Sequence, residues 1–203
     1  MNTRRIAFLL SAFLTLAASF SYAASIKFNS SPESRIWISG KSTLHPFIIK
    51  ASTFNLQMVF EATSLQSASV EILKGHSAHL TATVPIKGLR SEFEVMDENI
   101  QRAMKASHYP NIIFSLNSYS VSTTAPKKTI SVPGSLSISG VSKPVILNAT
   151  INLSGSDLSI SGSQAIKMSD YGITPPTMMF GSIKVDDFVI VHYHLVLSPL
   201  SSE

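Results

Sequence analysis

Apolar and polar side chains alternate along much of the chain. In residues 112–117, Ile112, Phe114 and Leu116 share one face, and polar side chains occupy the other. Residues 145–153 repeat the pattern, with apolar side chains at every odd position. A period of two predicts β-strands with one face turned inward and one turned to water. Because a sheet with one wet face is typically antiparallel, the pattern favours an antiparallel all-β fold.

Local hairpins explain the spacing of the strands that follow. The alternation predicts strands over residues 129–138, 143–154 and 157–168, and an earlier strand over residues 78–86. Turn-forming residues such as glycine and proline separate them. The chain shows no fixed repeat and no internal linker, so we predict one domain.

One segment departs from the strand pattern. Within residues 97–107, the apolar positions are Ile100, Ala103 and Met104, which is helical spacing. Asp97 is the predicted N-cap, and a proline follows the segment. A helix of about three turns needs packing to persist. We expect it to close one end of a β-barrel.

The N-terminus has the features of a targeting segment. Arg4 and Arg5 precede an apolar stretch over residues 6–20, and small residues stand at both positions that a signal peptidase recognises. Cleavage is predicted after Ala23 or Ala24.

We therefore predict a signal peptide over residues 1–23 and a mature domain over residues 24–203, exported to the periplasm. The alternative is a retained membrane anchor, although the apolar stretch is shorter than the roughly 20 residues that span a bilayer. No later stretch of the sequence is long and apolar enough to cross a membrane.

Charge and composition exclude several classes of protein. The chain has 16 basic and 12 acidic residues and no cysteine. Without Arg4 and Arg5, 14 basic residues remain against 12 acidic ones, so the net charge is only +2. The nearest approach to a basic cluster is Lys127-Lys128, a predicted hairpin tip. We therefore expect no nucleic-acid partner, and the missing cysteines exclude disulfides and thiolate chemistry.

Motifs of catalysis or nucleotide binding are weak or missing. Residues 40–42 match the end of a phosphate-binding loop, but Arg35 stands where the first glycine of that motif belongs, and the intervening residues alternate like a strand. The sequence contains no G-x-S-x-G or H-E-x-x-H motif. We therefore predict neither an enzyme nor a resident cofactor.

Two close histidine pairs are the best candidates for metal ligands. His192 and His194 share one face of a predicted strand, and His76 lies near His79. A metal site needs a third ligand and supporting hydrogen bonds, and neither pair has a carboxylate beside it. We therefore predict no metal site.

The apolar interior remains as the candidate site. A barrel of roughly eight strands can enclose a ligand instead of filling itself. From composition alone, a solid core in a β-sandwich explains the apolar residues equally well.

Several segments together resemble one known family. They are residues 40–47 (GKSTLHPF), 108–114 (HYPNIIF), 134–145 (GSLSISGVSKPV), 167–173 (KMSDYGI) and 175–185 (PPTMMFGSIKV). They are similar, in this order, to blocks of the YceI-like family, in the branch with a Ser-Thr-Leu-His motif. The resemblance covers nearly all of the predicted mature chain.

The resemblance implies a lipocalin-like antiparallel β-barrel with one short helix at an end, exported by bacteria. It also implies a bound polyprenyl lipid or isoprenoid quinone. The predicted cavity wall comprises Ile36, Ile38, Phe54, Phe114, Leu116, Leu136, Ile138, Leu147 and Ile151. The lipid head group is expected near His45, Asp170 or Tyr171.

We accordingly predict a carrier or binding protein whose partner is a hydrophobic small molecule. The alternative is a non-enzymatic, stress-related structural or interaction module with a closed core. The sequence leaves the oligomeric state open, including a homodimer.

Overall fold

A computed structural model describes residues 25–61, 78–116, 120–122 and 129–200. The predicted signal peptide, Lys127-Lys128 and His76 lie outside these ranges. The strands are β1 (Ser25–Ser30), β2 (Arg35–Lys41), β3 (Pro46–Ala51), β4 (Asn55–Glu61), β5 (Ala78–Pro85), β6 (Leu89–Arg90), β7 (Asn111–Leu116), β8 (Ser120–Ser122), β9 (Thr129–Ile138), β10 (Val141–Ser154), β11 (Asp157–Lys167), β12 (Thr177–Met178), β13 (Ile183–Lys184) and β14 (Phe188–Pro199). The helix α1 spans Glu94–Ala103.

The described strands close into an eight-stranded antiparallel barrel. The ring runs β1-β4-β5-β7-β9-β10-β11-β14 and closes where β14 pairs with β1. Three further strands extend the ring toward the end that carries α1: β2 extends β1, β3 extends β4, and β6 extends β5. β2 pairs with β14 and with β3, and β3 pairs with β6. Neighbouring ring strands are antiparallel, as predicted, and short hairpins join β9 to β10 and β10 to β11.

Each of these three extended strands is interrupted where its two segments meet, and hydrogen bonds span the interruptions. Between β1 and β2, the hydroxyl of Ser34 donates to the Val196 carbonyl at 3.0 Å and accepts from the Val196 amide at 2.9 Å. Between β3 and β4, both the amide and the hydroxyl of Ser52 donate to the Gly88 carbonyl at 2.8 Å. Gly88 belongs to the 3-10 turn Ile86–Gly88, which separates β5 from β6.

The inward faces form two apolar clusters along the barrel axis. In the lower cluster, Phe28 and Phe60 pack edge to face with their ring centroids 5.7 Å apart, beside the fully buried Leu158 and Leu197. The upper cluster, at the end with α1, is centred on the buried Ile86. Burial of these side chains is the main stabilising contribution to the barrel.

Strand positions were predicted closely. β9 has the predicted bounds, and β10 and β11 differ from the prediction by two residues or fewer at each end. The alternation in β10 is confirmed, since Ala149 and Ile151 are buried and Ile146 is exposed.

The helix begins earlier than predicted, and the N-cap assignment was wrong. The N-cap is Phe93, which makes no side-chain capping hydrogen bond. Asp97 lies in the first turn, where its carboxylate accepts from the amide and hydroxyl of Ser91 at 2.6 and 2.7 Å. Lys105 adopts a positive φ of 54° just beyond the helix, so the predicted extension to residue 107 does not occur.

Within the described ranges, no helix is both long enough and apolar enough to span a membrane.

Candidate functional site

The barrel encloses a cavity of about 530 Å³ lined almost entirely by apolar side chains. Its wall is formed by inward-facing residues of the barrel strands, and α1 covers part of its upper end. Eight predicted wall residues line it: Ile36, Ile38, Phe114, Leu116, Leu136, Ile138, Leu147 and Ile151. Their contact with a ligand stays a prediction.

Phe54 was also placed on the cavity wall, and the structure differs. Among the described residues, it does not belong to the lining. Phe54 lies in the interruption between β3 and β4, where it packs against both apolar clusters. No strand was predicted around residue 54, so the sequence held no periodic signal to say which way this side chain faces.

The lower end of the cavity is packed shut. Phe28, Phe60, Leu158 and Leu197 are each at most 3% exposed, and none of these four side chains contributes to the described lining. They therefore form a floor beneath the cavity, and the cavity opens at the other end.

Three aromatic rings in the wall lie against glycines of neighbouring strands. A Cβ atom added at Gly40 would come within 2.3 Å of the Phe47 ring, and one at Gly134 within 2.6 Å of the Phe114 ring. The Tyr193 side chain approaches Gly162 in the same way. Because glycine has no side chain, each ring can lie close to the wall, which leaves the middle of the cavity open.

Two polar side chains of the cavity wall form hydrogen bonds with backbone carbonyls of the barrel strands. The hydroxyl of Tyr193 donates to the Asn148 carbonyl at 3.3 Å, and the amide group of Gln164 donates to the Ala165 carbonyl at 3.1 Å. Burial raises the pKa of Tyr193 to about 12, so its hydroxyl stays protonated at neutral pH. The cavity therefore suits a ligand portion that has few hydrogen-bonding groups.

Helix α1 covers the upper end of the barrel with one face. Met96, Ile100, Ala103 and Met104 line the cavity and pack against or within the upper cluster. Asp97 fastens the start of the helix through its two hydrogen bonds from Ser91, with Arg90 at 3.9 Å. The apolar face predicted from helical spacing is therefore correct, although the helix bounds were not.

The mouth of the cavity lies beside α1. Leu44, Phe93 and Val95 line the cavity and are also 67%, 58% and 59% exposed. Side chains that border both the cavity and solvent mark its opening. The mouth is therefore bounded by the loop between β2 and β3 on one side and by the start of α1 on the other.

His45 is the predicted head-group residue that borders this mouth. It lines the cavity, and its Nδ1 lies 2.8 Å from the carbonyl oxygen of Pro46. Because a carbonyl can only accept, Nδ1 must donate the proton. A neutral His45 therefore presents Nε2 as a hydrogen-bond acceptor.

The other two predicted head-group residues differ from His45 in their surroundings. Asp170 is exposed, with its carboxylate 3.6 Å from the ammonium of Lys143. Tyr171 is 3% exposed within the upper cluster, and burial, followed by the charge of Asp170, raises its pKa. In the described part of the chain, neither residue lines the cavity, although Met168 and Ile173 of the same segment do. A contact of Asp170 or Tyr171 with a head group stays a prediction.

The strand-borne histidines have partners on the outer surface of the barrel. His192 stacks on Trp37 with a centroid distance of 5.1 Å, and its Nε2 lies 2.8 Å from the Ser39 hydroxyl. His194 Nδ1 lies 2.8 Å from the Ser161 hydroxyl. The described residues contain no group of three or more potential metal ligands.

Comparison with known proteins decides the family. A profile of the YceI-like domain matches residues 40–197. The chain belongs to the YceI-like family. No curated protein matches it.

Solved structures share the YceI-like fold at low sequence identity. BcnA of Burkholderia cenocepacia is 19% identical with a TM-score of 0.63, over 80% of this chain and 95% of that one. A polyisoprenoid-binding domain from Saccharophagus degradans is 9% identical with a TM-score of 0.62, over 86% and 98%. The Campylobacter jejuni YceI protein is 21% identical with a TM-score of 0.54, over 76% and 85%.

The sequence did not predict the part of the YceI-like cavity that lies nearest the mouth. Pro176, Ile183 and Val185 line it from a segment with little regular structure. Their residue types carry no periodic signal, and the local sequence does not show which strand ends this segment contacts. In contrast, the apolar spacing of α1 could have identified Met96 and Ile100 as lining residues.

Proposed function

We propose that this YceI-like protein binds a long isoprenoid chain and that it is not an enzyme. The apolar, largely enclosed cavity is the observation that carries the proposal. Its volume of about 530 Å³ falls within the range of small-molecule sites. The polyisoprenoid-binding domain from Saccharophagus degradans has the same fold, which supports the same class of ligand.

The chemistry of the wall suits a prenyl chain. Such a chain has no hydrogen-bonding groups, so its binding requires apolar area and shape. Each methylene-sized group that leaves water contributes about 0.8 kcal/mol. About twenty such groups, or four prenyl units, give about 16 kcal/mol before the costs of association. If these costs take about half, the remaining ~8 kcal/mol corresponds to micromolar binding.

The open mouth gives the polar end of the ligand a place at the surface. His45 Nε2 can accept a hydrogen bond from a head-group hydroxyl there. We also propose that residues 1–23 direct export to the periplasm and are removed. The cavity argues against the alternative of a structural module with a closed core.

Mass spectrometry of lipids that co-purify with the protein tests this function. The wild type should yield a prenyl lipid or prenyl quinone in an organic extract. Ala149→Trp should fold but lose that lipid, because Ala149 lines the cavity and is 5% exposed. The matched control is Ile146→Trp on the same strand, where Ile146 faces outward at 59% exposure.

Two results would contradict the proposal. The first is a clean extract from the wild type together with no binding of an added fluorescent prenyl probe. The second is equal lipid content in Ala149→Trp and Ile146→Trp when circular dichroism shows both to be folded.

A further inference from the structure

Two loops join to form one side of the mouth, which we call the loop lip. They are residues 42–45 and residues 179–182. The Thr43 amide donates to the Lys184 carbonyl at 2.9 Å, and its hydroxyl donates to the Ser182 carbonyl at 3.2 Å. The Lys184 amide donates back to the Thr43 hydroxyl at 3.1 Å. These bonds join segments about 140 residues apart in sequence into one unit.

The loop lip exposes large apolar side chains to solvent. Leu44 is 67% exposed, Met179 is 71% exposed, and Phe180 is fully exposed. Exposed apolar side chains are common singly, but a group beside a cavity mouth is typical of an interaction surface.

The backbone of the loop lip is also unfavourable for the residues that it carries. Met179, Phe180 and Gly181 have consecutive positive φ values of 48°, 53° and 88°. Glycine and asparagine adopt this left-handed region most readily, whereas a bulky apolar residue there is unusual. The strained turn points two large apolar side chains away from the barrel, where burial within the described structure does not stabilise them.

The charges near the two sides of the mouth differ in sign. Lys41 and Lys184 flank the loop lip, and in the described ranges neither forms an ion pair, while Asp186 is the nearby acidic residue on this side. On the opposite side, Glu92 and Glu94 flank the start of α1. The loop lip therefore combines apolar side chains with a small excess of positive charge, which complements an anionic lipid surface.

We propose that the loop lip docks on an anionic phospholipid bilayer, with Leu44, Met179 and Phe180 reaching the boundary between head groups and acyl chains. Docking would turn the cavity mouth toward the bilayer, so that a prenyl chain could pass between them without crossing water. This purpose rests on the proposed function, but docking itself can be measured on protein freed of lipid.

Vesicle sedimentation tests the docking surface. Delipidated protein is mixed with phosphatidylcholine vesicles, with or without added phosphatidylglycerol. The wild type should bind the anionic vesicles more strongly, by up to about fivefold for each lysine near the surface. Met179→Asn/Phe180→Asn should reduce the partition coefficient at least about tenfold, because two large apolar side chains no longer reach the lipid.

The choice of variants keeps the test clear. Asparagine tolerates a positive φ, so the double variant should fold at least as well as the wild type, which its melting temperature verifies. The matched control Ile113→Thr/Ile146→Thr removes exposed apolar side chains on other strands and should bind vesicles like the wild type. Ala149→Trp should also bind vesicles, so loss of ligand and loss of docking are separable.

Three results would overturn the inference. One is equal vesicle binding by the wild type and Met179→Asn/Phe180→Asn. Another is equal loss of vesicle binding in that variant and in Ile113→Thr/Ile146→Thr. The third is that the wild type does not bind vesicles but forms a dimer, and that Met179→Asn/Phe180→Asn disrupts this dimer. The loop lip would then contact a second copy of the protein.

Discussion

Leucines in the wall and in the floor of the barrel should respond differently to the same truncation. Leu147 lines the cavity and is half-buried, whereas Leu158 is 0% exposed and lies in the floor. Leu158→Ala removes three packed carbons and leaves a new void, so we expect a loss of about 3–5 kcal/mol. Leu147→Ala enlarges a space that already exists. Its cost is then only the lost burial of a half-buried side chain, about 1–1.5 kcal/mol.

Equilibrium urea denaturation of delipidated protein measures this difference. Removing the ligand beforehand matters, because a ligand that binds only the folded state adds its own stabilisation. With a slope of about 2 kcal/mol per M, the midpoint should fall by about 0.5–0.75 M for Leu147→Ala and by at least about 1.5 M for Leu158→Ala. Equal shifts in the two variants would refute the reasoning, since they would mean that Leu147 packs in a closed core.

Three further predictions follow from the helix, the wall and the cavity. Ile100→Asp should cost roughly 2–4 kcal/mol by placing a carboxylate on the apolar face of α1, and an unchanged melting temperature would show that this face does not dock. Tyr193 has its pKa raised to about 12 from 10.0; its stabilising contribution is therefore complete below pH 10 and is lost as pH rises toward 12. In Tyr193→Phe, denaturation measured across that interval should show a weaker decline in stability, and an identical decline would contradict the assignment. Gly40→Ala should push the Phe47 ring into the cavity and lower the amount of co-purifying lipid. The control is Gly155→Asn: nothing lies within 4 Å of a Cβ there, and asparagine tolerates the positive φ of 62°, so the lipid content should stay unchanged.

The sequence predicted those parts of the site that follow a regular period. Alternation in β7 and β10 placed Phe114 and Leu147 on the inward face, because successive residues of a strand point to opposite sides. No such alternation was available for Phe54, which lies between strands and does not line the cavity. The start of α1 was missed because Asp97 bonds back to Ser91 instead of capping the helix.

The mouth depends on contacts that no local pattern records. The bonds between Thr43 and Lys184 join two loops that lie far apart in the sequence. Asp170 and Tyr171 were proposed for the mouth because they are polar, and the fold leaves the first exposed and buries the second. Side-chain placement in such loops requires the packed structure, because tertiary contacts decide it.

The interruptions between β1 and β2, β3 and β4, and β5 and β6 give the barrel wall two sides that differ in their hydrogen bonding. On one side, β9, β10 and β11 run unbroken, and each of their ladders has at least six paired positions. On the other side, the breaks near Ser34, Ser52 and Gly88 replace part of the ladder with a few isolated hydrogen bonds. Backbone amides there should exchange with deuterium sooner than those of β10, since fewer bonds must open together. A ligand chain too bulky for the cavity would therefore widen the barrel along the interrupted side, while β9, β10 and β11 keep their positions.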